Sequence, residues 1–76
     1  MNKERRNRIE ELKNDLESLQ GDIEDIMNEE EEYRDNMPEN LQGSEKYETA
    51  EAAINALSTA IDSISEACNS LEEAME

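Results

Sequence analysis

Large apolar residues recur along this 76-residue chain in steps of three and four, a spacing that restricts the fold more than any other feature. They stand at Ile9, Leu12, Leu16, Leu19, Ile23 and Ile26, then at Tyr33 and Met37. A second run takes Tyr47, Ala50, Ile54, Leu57, Ile61, Ile64, Cys68, Leu71 and Met75 without a break. A repeat averaging 3.5 residues over four heptads lines its apolar positions along one stripe of a helix, the signature of coiled-coil packing. Low hydrophobicity and high net charge also mark disordered chains, but a regular repeat in both halves argues for helices.

The two runs are separated by Asn36-Met37-Pro38-Glu39-Asn40-Leu41-Gln42-Gly43-Ser44. Pro38 would lose a backbone bond and clash inside a helix, and it pushes Met37 away from helical angles. Ser44 is a good N-cap, followed by Glu45 and Glu48 in the positively polarised first turn. The pattern predicts helix 1 over about Asn2–Asp35, a linker over 36–44 and helix 2 over about Glu45–Met75. Each helix would be roughly 45–50 Å long at 1.5 Å per residue. The fold class is therefore all-α, a single antiparallel two-helix hairpin.

Residue numbers that sum to 80 pair the two stripes layer by layer: Tyr33 with Tyr47, Ile26 with Ile54, Ile23 with Leu57, and Leu19 with Ile61. Leu16 with Ile64, Leu12 with Cys68, and Ile9 with Leu71 complete the expected hairpin core. Glu30 interrupts the first stripe and falls opposite Ala50. It either snorkels past that small residue or forms a buried polar site that sets the register.

A second stripe, Ala53, Ala60, Ala67 and Ala74, flanks the seam of helix 2. A helix with so wide an apolar face meets more than one neighbour. The matching flank of helix 1 is polar (Arg8, Asp15, Asp22, Glu29), which predicts helix 2 at the centre and helix 1 outside. Two-fold dimers are the commonest oligomers, so the stripe is assigned as the interface of a homodimer, two hairpins making a four-helix bundle. The other use for it is a groove for a different protein.

The charge limits the partners. Twenty-two acids face seven bases, for a net −15. Lys3, Arg5, Arg6 and Arg8 against Glu4 give the first eight residues +3, leaving −18 for the rest. Such a body repels nucleic-acid backbones and anionic membranes and suits basic protein surfaces. The basic head would lie beside Glu72, Glu73 and Glu76, offsetting two unfavourable helix-dipole interactions; contact with nucleic acid is the second reading of these bases. No stretch approaches the roughly 20 apolar residues that cross a bilayer. The basic start is not followed by the apolar run of a signal peptide. A lone cysteine allows no intrachain disulfide, which fits a reducing cytosol.

Little here supports catalysis. With no histidine the usual base for a nucleophile is missing, and Cys68 reads as a small buried hydrophobe. Di-iron bundles need Glu-x-x-His. The run Glu29-Glu30-Glu31-Glu32 lacks the turn and ligand order of a calcium loop. There is no Gly-rich phosphate loop, the glycines being Gly21, on the outer face of helix 1, and Gly43. No cofactor, metal site or catalytic residue is expected.

The segment Tyr33-Arg34-Asp35-Asn36-Met37-Pro38-Glu39-Asn40-Leu41-Gln42-Gly43-Ser44-Glu45-Lys46-Tyr47 resembles a linker signature of small acidic proteins from phages, prophages and mobile elements of Gram-positive bacteria. There an "NMPENLQ-S" segment joins an acidic helix to an Ala- and Glu-rich one. Such proteins generally carry no assigned function, so the resemblance implies a phage or bacterial origin and a cytoplasmic setting in a bacterial host, and no activity. The linker itself is longer than a helical hairpin needs. Met37 and Leu41 can fold back over the end of the core beside the tyrosines, or the loop can present a recognition tip.

These features predict a non-enzymatic protein-binding or regulatory protein whose acidic face engages a basic, nucleic-acid-binding host protein. The candidate surface is Glu10, Glu11, Asp15, Glu17, Asp22, Glu24, Asp25, Glu29, Glu31 and Glu32. Plain solvation of a coiled-coil exterior accounts for the same residues. A self-associating structural, assembly or adaptor bundle is the alternative function, and direct nucleic-acid contact through the basic head is the third.

Overall fold

The computed structural model describes all 76 residues. Helix α1 spans Lys3–Asp35, a 3₁₀ turn covers Glu39–Leu41 and helix α2 spans Glu45–Ala74. There are no strands, and the two helices pack against each other as a hairpin. The result is a rod of 60 × 15 × 12 Å. No helix is long and apolar enough to cross a membrane.

Local chemistry sets the helix ends. The Arg5 amide donates to Asn2 Oδ1 at 2.8 Å, capping α1, and the Tyr47 amide donates to Ser44 Oγ at 3.4 Å, capping α2. Each cap satisfies one of the amides that a helix start leaves unpaired. α1 stops where the amides of Asn36 and Met37 close on the Glu32 and Arg34 carbonyls and Pro38 turns to φ −56°, ψ 150°. The chain re-enters through Gly43 at φ +85°, the only residue at positive φ, where a side chain would be strained. Met37 is half-buried but Leu41 is 43% exposed. Leu41, in the 3₁₀ turn, therefore does not take part in the expected fold-back over the core.

The core is thin. Only Ala50, Ile54 and Cys68 are buried, at 3%, 7% and 7% exposure, and all three lie on α2. α1 contributes no buried residue. Its half-buried side chains include Ile9, Lys13, Leu16, Gln20, Ile23, Met27 and Arg34. Leu12, Leu19, Ile26 and Tyr33, expected in the core, are instead 57%, 53%, 52% and 47% exposed. On a helical wheel the first set is centred one column away from the expected seam. α1 is thus rotated about its own axis: the column of Lys13, Gln20 and Arg34 closes on α2, while that of Leu12, Leu19, Ile26 and Tyr33 swings out.

Candidate interaction edge

The rotation gives the hairpin two unlike long edges. On one, Lys13 Nζ reaches Glu72 Oε1 at 2.7 Å and Glu17 Oε1 at 3.5 Å. One heptad along, Gln20 Nε2 donates to Ser65 Oγ at 2.7 Å and to the Ile61 carbonyl at 3.2 Å. Lys13 with Glu72 and Gln20 with Ser65 both sum to 85, consistent with seam layers that sum to 80. The long aliphatic stems of such residues cover apolar surface while their heads reach polar partners, which gives a physical reason for this face of α1 to turn toward α2. At the loop end Arg34 pairs with Asp35 at 3.0 Å.

Two pKa values register these contacts. The hydrogen bond to Glu72 raises Lys13 above the ordinary lysine value; desolvation opposes it, and the charges of Glu72, Glu17 and Glu10 reinforce it. The hydrogen bond to Asp35 likewise raises Arg34, against desolvation and with help from the Asp35, Tyr47 and Glu51 charges.

The other edge is open and apolar. At the loop end Glu30 and Tyr33 of α1 face Lys46, Thr49, Ala50 and Ala53 of α2 across a groove of about 470 Å³. At the opposite end Met1, Arg5, Arg8, Ile9 and Leu12 line a second groove of about 220 Å³. Tyr33 belongs to the column of Leu12, Leu19 and Ile26, and Ala53 to that of Ala60, Ala67 and Ala74. Residues seven apart share a helix face, so the two columns run side by side along this edge. Ala53 and Ala60 are half-buried, and Ala67 and Ala74 exposed. The alanine stripe is thus part of a wider face to which α1 supplies the larger side chains.

Comparison with known protein families, curated proteins and solved structures found no match.

The remaining predicted positions sort by exposure. Glu10, Glu11, Asp15, Glu17, Asp22, Glu24, Asp25, Glu29 and Glu32 are exposed, and Glu31 is half-buried. Glu30 is half-buried at the mouth of the loop-end groove, where it adjoins Ala50. No three His, Cys, Asp or Glu side chains gather closely enough to hold a metal ion. The basic head differs from its expected role: Lys3, Arg5, Arg6 and Arg8 form no ion pair, and the only bridge between the helices is Lys13–Glu72. Sequence reasoning missed Lys13 and Gln20, whose signal was present as polar residues at seven-residue spacing beside the seam, matched by Glu72 and Ser65 on α2.

Proposed function

We propose that this chain is a non-enzymatic protein-binding module that assembles along its apolar edge, two copies closing into a four-helix bundle. The observation that carries the reading is the column Leu12, Leu19, Ile26 and Tyr33, about half exposed at every heptad. Helices in a four-helix bundle present more than one apolar column to a shared centre, so a hairpin taken from a bundle leaves such a column uncovered. The absence of histidine and the burial of the single thiol support a role without catalysis.

Sedimentation equilibrium or light scattering tests the reading. It expects a particle of twice the 8.7 kDa chain mass, reduced to one chain by Leu19→Glu with helicity kept. A wild-type monomer at every concentration would remove it.

A second reading concerns the exterior. Of 22 acids, only Glu17, Asp35 and Glu72 pair with a base, leaving a carboxylate-studded rod free for a basic surface. With the phage-like linker, this fits a mobile-element protein acting on a basic, nucleic-acid-binding protein in the cytoplasm of a bacterial host. Capture of such a partner, released at 1 M salt where screening acts within about 3 Å, would support it; capture that ignores salt would favour assembly alone. Nucleic-acid contact through the basic head fits less well, because the attached body carries −18. A gel shift that stays flat at low salt removes it.

A further inference from the structure

We infer that the two copies pack head to tip, each basic head lying against the acidic loop end of its partner; this rests on the four-helix-bundle reading above. The first argument is area. The chain exposes 5624 Å², whereas a compact protein of its mass exposes roughly 4,700 Å². The excess of about 900 Å² matches the ~800 Å² that each partner buries in a standard interface. The excess comes from the elongated 60 Å rod as a whole, and pairing with a second copy along the open edge would remove surface of that order.

The second argument is charge along the rod. Residues 29–51, the loop end, hold nine acids and two bases, a net −7. The opposite end is much less charged: over the matching length of rod, residues 1–11 and 69–76 hold four bases and six acids, a net −2. A parallel dimer would set two −7 tips side by side, close to the ~8 Å screening length of physiological salt. The head-to-tip dimer separates them by nearly the length of a 60 Å rod. It also brings Arg5 and Arg8, which line the open edge and form no ion pair within the chain, toward an acidic tip.

The third argument is register. Turned over about an axis across the rod, α1 lies antiparallel to its copy. Centred on Leu19, opposing numbers sum to 38, so Leu19 meets itself and Leu12 meets Ile26. Residues 3–8 then lie level with 30–35; of these, Arg8 and Glu30 both line the open edge and are placed together, while Arg6 belongs to the closed-edge column of Lys13 and Gln20 and Asp35 to the outer face of Gly21. The two end grooves, one carrying Arg5 and Arg8 and the other Glu30, Glu45 and Lys46, fall on the same edge at opposite ends, as this pairing needs. Asp15 and Asp22 come within one residue of level nearer the centre, so the ends carry the preference.

Carbodiimide cross-linking of the wild-type protein, read by mass spectrometry on a mixture of isotopically light and heavy chains, tests the arrangement. The Met1 amine, at the head groove, and nearby Lys3 are about 40 Å along the rod from Glu30 at 1.5 Å per residue, so an amide between either and any carboxylate of residues 29–35 must be intermolecular. The inference expects that link in mixed light–heavy dimers. It also expects Arg5→Glu/Arg6→Glu/Arg8→Glu to raise the dimer dissociation constant about tenfold, a loss within reach of a few exposed pairs, and the Glu30→Arg/Glu32→Arg chain to restore pairing with that variant. A dimer whose Lys3 joins only residues 72–76 across chains would overturn the head-to-tip packing and leave the bundle standing. A monomer at all concentrations would remove both.

Discussion

Seen down its axis, the hairpin has one edge closed by polar side chains and one left open by apolar ones. Lys13–Glu72 and Gln20–Ser65 tie the first; Leu12, Leu19, Ile26 and Tyr33 stand half exposed along the second. The contrast runs against the usual expectation that polar residues look outward. Two helices alone cannot cover three apolar columns on one side and two on the other. The polar pairs decide which column of α1 turns inward, and a leucine column is left for another surface to cover.

The largest effect should separate the core from the open edge. Ile54→Ala removes a buried side chain and should cost about 2–4 kcal/mol in chemical denaturation of the hairpin. Ile26→Ala, at a half-exposed site, should cost under about 1 kcal/mol at dilutions where the chain is monomeric. Equal costs would mean that Ile26 is part of the core after all.

Next is the edge itself. Leu19→Glu/Ile26→Glu should weaken association at least ~100-fold, because it would place four carboxylates in the desolvated interface of the proposed dimer. Sedimentation velocity across a concentration series reads it directly, and circular dichroism should stay helical. Association that survives this change would move the interface elsewhere.

The closed edge offers a smaller test. Gln20→Ala deletes two hydrogen bonds to α2 and should cost about 1 kcal/mol by thermal melting. A variant as stable as the parent would deny Gln20 any part in setting the rotation of α1. On the outer face, Gly21→Ala should stabilise by about 0.5–1 kcal/mol from helix propensity, since an added Cβ meets nothing within 4 Å. Its effect should be the same for monomer and dimer, which makes it the control for changes at either edge.

The smallest effect comes from Lys13. Its pKa is raised in the folded state, chiefly by the bond to Glu72. A raised lysine pKa gives stability that is fully present below the unfolded value and is lost as pH rises through the folded one. Wild type should therefore lose a small increment relative to Lys13→Met only on entering the alkaline range above the ordinary lysine value. A difference between the two that changes between pH 6 and 9 would assign the dependence to another group.

Much of the fold was legible because each feature is local. The 3–4 repeat marks helices, Pro38 excludes a continuous rod, and Ser44 can cap only a helix that starts after it. The antiparallel packing is a consequence of the short linker. The rotation of α1 was not legible. The periodicity of Leu12, Leu19 and Ile26 says that the column is apolar, but not which apolar surface covers it. That is settled by whether Lys13 and Gln20 find partners, and those lie 45 or more residues away in sequence, at Ser65 and Glu72. For the same reason the sequence pattern places the column of Leu12, Leu19, Ile26 and Tyr33 in the core, where the structure leaves it about half exposed.

A body measuring 15 by 12 Å across has almost no interior: nearly every side chain is one layer from water. Its melting temperature should then act as a gauge of protein concentration. If pairing supplies the missing half of the core, each tenfold dilution should bring the melt down, and how well folded the chain is inside a cell would depend on how much of it the cell makes.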